Sequence, residues 1–161
     1  MSPDTKSFMF SIDPGVRTRR ELALLPFEQD VLTVSRCFFE TYEKPDSQCW
    51  MQAFMEAEQR FQPPFGATIA HATHLTINFL QTARGGAFSY FPTSDAMAEY
   101  AVTPAEKQLI EVMRAVGAGD VEKAEWAALL LCHGGETERF LAAMERLCLI
   151  FGQIEGLRYQ G

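Results

Sequence analysis

Between Phe61 and Ala83 the chain has no Lys, Arg, Asp or Glu, although 22% of its residues are charged. A helix exposed to water normally carries a charged face, so this gap predicts a segment buried on most sides. The gap does not predict a membrane span, because two His, an Asn, a Gln and several Thr interrupt the apolar residues. Basic residues are also in deficit, with 14 Lys and Arg against 21 Asp and Glu and a net charge of −7. That balance repels phosphate backbones and disfavours general nucleic-acid binding.

Catalytic and cofactor signatures are missing as well. The sequence has no Cys-x-x-Cys, no Gly-rich phosphate loop after a strand, no Gly-x-Ser-x-Gly and no His-Glu-x-x-His. No reaction follows from the motifs, and no cofactor is expected. The four cysteines, Cys37, Cys49, Cys132 and Cys148, sit among apolar residues at helical spacing. They read as unpaired thiols in a reducing compartment. The first residues lack a basic start followed by an apolar run, so the cytoplasm is the expected location. No internal repeat or low-complexity tract is present.

What is there is helical. After Pro63-Pro64, residues 66–83 form the expected central helix, closed by Gly85-Gly86. Pro26 suits a first helical position, and Phe27, Val31, Val34, Phe38 and Tyr42 recur at helical spacing up to Lys44-Pro45. Asp46 or Ser47 is expected to cap a second helix, whose Trp50, Met51, Phe54, Met55 and Phe61 form one apolar face. A short helix is expected from Thr93 or Ser94 through Tyr100. Thr103-Pro104-Ala105-Glu106 is a capping box with Pro at the first helical position. Asp120 caps the next helix, in which Val121, Ala124, Ala128 and Leu131 face inward, widened by Trp126 and Leu130. The last amphipathic stretch, from Phe140 to Phe151, is loosened beyond by Gly152 and Gly156.

The predicted architecture is all-α: a single-domain antiparallel bundle, residues 1–161, of about five main helices around the uncharged helix 66–83. Residues 103–151 are expected to form a three-helix up-down-up unit. Residues 1–23 are expected to form an N-terminal arm, with Ser7–Ile12 a short strand or an extended segment.

Several residues are candidates for function. His71 and His74 lie three apart on the central helix and could share a metal, but a zinc site needs three or four ligands, so Cys132, His133 or Cys37 would have to come from other helices. Phe88, Tyr90 and Phe91 crowd one loop, 85–94. They either close the core or, with His71 and His74 as polar points, line an apolar pocket for a small ligand. Arg17, Arg19 and Arg20 form a basic cluster for a phosphate or an acidic partner surface, or for the acidic segment 21–60 of the same chain. Cys132-His133 are neighbours pointing apart on a helix, so they do not form a nucleophile–base pair. The expected function is a protein-interaction or scaffold module acting as a homodimer. The alternatives are a sensor or carrier of a small apolar ligand and, after that, a metal- or haem-binding helical protein. Neither nucleic acid nor membrane is an expected partner.

Overall fold

The structure, a computed structural model, describes residues 15–160, with side chains through Glu155. Among the described residues the elements run β1 (Arg17–Thr18), α1 (Pro26–Glu43), α2 (Cys49–Arg60), α3 (Phe65–Arg84), β2 (Ala101–Val102), α4 (Pro104–Gly117), α5 (Val121–Leu131) and α6 (Glu138–Gln160). The fold is all-α, with a two-residue antiparallel ladder pairing Arg17 with Val102 and Thr18 with Ala101.

Local chemistry sets the helix starts. Pro26 opens α1, and the Leu25 backbone N–H donates to Glu28 Oε1 at 2.9 Å. Thr103 caps α4 reciprocally: its Oγ1 accepts the Glu106 N–H at 3.0 Å, and its own N–H donates to Glu106 Oε1 at 2.9 Å. Asp120 Oδ1 accepts the Lys123 N–H at the start of α5.

The core lies where α1, α3, α4 and α6 meet. α3 contributes Ile69, Ala70, Thr73, Thr76, Ile77 and Leu80, and α6 packs along it with Phe140, Met144 and Leu147. Burying each large apolar side chain contributes about 1.5–3 kcal/mol. α2 lies against α1 and α3 through Ala53 and Ala57, whose small side chains allow close approach. At Gly66 that approach is extreme, since an added Cβ would sit 2.6 Å from Glu58 Cα. At Gly135 it would run into the Ala83 carbonyl, so the α5–α6 connection presses on the end of α3.

Several sequence expectations need correction. The segment between Ser94 and Tyr100 forms turns rather than a short helix. Asp95 Oδ1 accepts the Met97 N–H, and the Ala98 and Ala101 carbonyls are drawn to arginine side chains instead of continuing a helix. Neither Asp46 nor Ser47 caps α2: Gln48 holds that position without a side-chain bond, and Ser47 Oγ donates to the Lys44 carbonyl. α6 does not loosen at Gly152 but continues to Gln160. Trp50, Met51 and Met55 of α2 are exposed, because the two alanines take the inner face. Val121, expected to face inward, is exposed, and Trp126 and Leu130 point outward, since Ala124, Ala128 and Leu131 suffice to seat α5 on its neighbours. The Ser7–Ile12 segment lies outside the described residues. The described part of the arm enters the β ladder.

Candidate functional site

The aromatic loop is fastened to the core at several points. Phe88 is buried and stacks on Phe39 at 4.1 Å between ring centroids, and the Arg84 guanidinium lies over the Phe88 ring, 5.5 Å from its centroid. Tyr90 is half-buried, tilts against Phe39 and donates its hydroxyl to Glu43. Burial and that carboxylate push the Tyr90 phenol up from its ordinary value. Phe91 lies 5.7 Å from the Arg36 guanidinium, and the Ser89 carbonyl accepts the Thr103 hydroxyl at 2.7 Å. In this arrangement the three rings brace neighbouring elements.

His71 and His74 both reach the surface of α3. The His74 ring lies 4.9 Å from Phe38 and 6.4 Å from Tyr42, whose hydroxyl donates to Asn78 Oδ1 at 2.7 Å. Partial burial, and then the neighbouring His71, lower the His74 pKa. Among the described residues no group of three or more His, Cys, Asp or Glu is placed to hold a metal. Cys37 follows Arg36 in sequence, yet burial raises its thiol pKa to about 12. It is an inert core residue.

Beneath the loop sits a charged junction that the sequence reading missed. Arg36 and Glu106 are 1% and 0% exposed. Arg36 Nε and Nη2 donate to the two Glu106 oxygens at 2.6 and 3.0 Å, while Nη1 and Nη2 donate to the carbonyls of Ala98 and Ala101. A second pair mirrors it: Arg114 Nε and Nη2 grip Glu28 at 2.7 and 2.8 Å. In each case the glutamate already binds the N-terminal backbone of its own helix, so α1 and α4 lock each other's first turns. The capping box at Glu106 was legible, but its second partner was not. An arginine set between Val34 and Phe38 on an apolar stripe was the available signal.

Comparisons with protein-family models, curated proteins and solved structures find no match. Function must therefore be read from surfaces.

Two are distinctive. The first is the outer side of α5. Residues 126–135 include no charged side chain, and Trp126 and Leu130 are 62% and 63% exposed, with Leu129 beside them. On another side of α5 a shallow groove of about 240 Å³ is walled by Val116, Val121, Ala124 and Leu141 and by the acids Asp120, Glu125 and Glu145. The second is a cleft of about 570 Å³ beside the β ladder, lined by Thr18, Arg19, Arg20, Leu24, Gln29 and Tyr100 together with Ala23 and Glu99. It brings together two of the three clustered arginines, while Arg17 stands exposed on β1. Among the described residues none of the three forms an ion pair with a carboxylate. No described helix is long and apolar enough to cross a membrane.

Proposed function

We propose that the protein is an interaction module that pairs with a second copy of itself through the outer face of α5. The supporting observation is the exposed stripe of Trp126, Leu129 and Leu130 on a helix that is apolar on its inner face as well. Exposed clusters of this kind mark interfaces, and tryptophan is enriched among interface anchors. The chain carries a net charge of −7, yet the stripe itself is uncharged, so its centre opposes no approach of an identical surface. Twofold pairing is isologous. An antiparallel copy of α5 would set Trp126 of each protomer against Leu129 and Leu130 of the other.

A stable interface buries at least about 1,200 Å² in total, more than one short helix face supplies. The remaining area must come from neighbouring elements, because the groove between α5 and α6 lies on another side of the helix and carries Asp120, Glu125 and Glu145. The four free thiols, two of them buried, fit a reducing cytoplasmic setting. Sedimentation velocity over a concentration series tests the reading. The native chain is expected to reach twice its monomer mass, and Trp126→Asp with Leu130→Asp to stay monomeric with an unchanged helical spectrum. A native chain that remains monomeric throughout overturns it.

A further inference from the structure

The cleft beside the β ladder carries an excess of positive charge that the fold does not neutralise. Arg19 is held in place by its backbone N–H to the Tyr100 carbonyl at 2.8 Å, by Nη2 to the Ala98 carbonyl at 2.6 Å and by Nη1 to Gln29 Oε1 at 3.4 Å. All three acceptors are neutral. Arg36 donates to the same Ala98 carbonyl, so two guanidiniums converge on one oxygen. Glu106, the carboxylate paired with Arg36, is already held by both nitrogens of the Arg36 fork and by the Thr103 N–H. Arg19 Nε is buried and has no hydrogen-bond partner. A buried guanidinium N–H without an acceptor is costly, and the cost falls when an anion is supplied. Burial, then the Arg36 charge, lower the Arg19 pKa, and the carboxylates of Glu106 and Glu99 only partly offset them.

The cleft around Arg19 has the dimensions and chemistry of a ligand site. Its volume of about 570 Å³ lies within the range of small-molecule pockets. Arg20 stands at its wall, exposed and without a carboxylate partner. Thr18 and Gln29 add a hydroxyl and an amide, while Leu24 and the exposed Tyr100 ring give an apolar side. Glu99 is the one acid in the lining, so the arginines outnumber it.

We propose that this cleft binds a small organic anion: a phosphate or carboxylate group held by Arg20 and Arg19, with its apolar body against Tyr100 and Leu24. Guanidinium forks match the planar or tetrahedral oxygens of such groups, and the hydrogen bonds are charge-assisted. The site is separate from the α5 face, so ligand binding and pairing can be gained or lost independently.

The test is a titration of the ¹⁵N-labelled full chain with phenyl phosphate, benzoate and inorganic phosphate, each at constant ionic strength against chloride. Saturable shifts are expected at the Arg19 and Arg20 Nε–H signals and at the Thr18 and Tyr100 amides. Phenyl phosphate or benzoate should bind more tightly than inorganic phosphate. Arg20→Gln should weaken binding on the order of tenfold, the effect of one charge-assisted contact. Tyr100→Ala should weaken only the two aromatic probes. Both positions are exposed, so an unchanged amide spectrum elsewhere verifies folding. Shifts that stay linear with concentration, match those in chloride or persist at native strength in Arg20→Gln would overturn the proposal. Equal binding of phenyl phosphate to the native chain and Tyr100→Ala would overturn the assigned apolar side.

Discussion

α3 is uncharged up to Arg84, α5 is uncharged from Trp126 to its end, and both leave one side open to water. Their open sides differ. α3 shows Ala67, Thr68, His71, His74 and Thr82, small or polar groups that water solvates readily. α5 shows Trp126, Leu129 and Leu130. Missing charge therefore does not measure burial. What distinguishes a helix that is finished from one that awaits a partner is the class of side chain on its open face.

The sharpest way to break the comparison is to place one charge on each side of the same helix. Ala70→Asp and Ile77→Asp put a carboxylate at positions that are 0% and 1% exposed, with no cation nearby in the α3 sequence. Each should destabilise by about 3–5 kcal/mol, enough to unfold many domains of this size. His71→Asp, on the open side, should change stability by less than about 0.5 kcal/mol. Urea unfolding of the three variants checks this; equal losses at all three positions would mean that α3 has no solvated side.

The junction between α1 and α4 comes next. Arg36→Met leaves Glu106 buried and facing two empty positions, and should cost about 3–5 kcal/mol by urea unfolding. Adding Glu106→Gln should recover part of that loss, because the orphaned charge disappears while the bond to the Thr103 N–H persists. A double variant no more stable than Arg36→Met would show that packing, not the stranded carboxylate, sets the cost.

On α5 the expected stability effect is small and the association effect large. Trp126→Asp alone should leave the monomer's unfolding free energy within about 0.5 kcal/mol while weakening self-association at least tenfold. Equilibrium sedimentation reads the second quantity and urea unfolding at low protein concentration the first. A large loss of monomer stability would make the outer face of α5 part of the core after all.

How much of this was legible varies by element. The capping box at Thr103, the proline start of α1 and the stop at Gly85 depend on neighbours in sequence, and each stands in the structure. The burial of α3 was legible from its missing charge, but not which side faces inward: Ile69, Ile77 and Leu80 pack into the core, whereas His71 and His74 lie on the open side. Both sides are uncharged, and only the placement of α1, α2 and α6 decides between them. Trp126 and Leu130 were misplaced for a similar reason. Apolar residues occur on every side of α5 from Trp126 onward, and the sequence does not say that Ala124, Ala128 and Leu131 suffice to seat it. Arg36 and Arg114 find glutamates 70 and 86 residues away, distances at which local pattern carries no information. The candidate site residues divide likewise: the loop rings announce themselves by composition, whereas the partners that hold them, Phe39, Arg36 and Glu43, come from α1.

The smallest expected effect concerns the open side of α3. His74 is packed against Phe38 and Tyr42, with His71 one turn away, and its pKa is lowered first by desolvation and then by that second imidazole. A group whose folded pKa lies below its unfolded value binds protons more readily when the chain unfolds. Stability is then constant at alkaline pH and falls as pH drops through the unfolded histidine pKa of about 6.5. Melting temperature should decline modestly between about pH 7.5 and 5.5. His74→Gln should flatten that slope, and His71→Gln should reduce it by removing only the smaller contribution. Because carboxylates titrate mainly below this window, a slope identical in the native chain and His74→Gln would assign the pH response elsewhere. That result would leave the aromatic packing of His74 without a thermodynamic consequence. A flattened slope would instead show that even the solvated side of α3 is partly dry at the point where α1 leans over it.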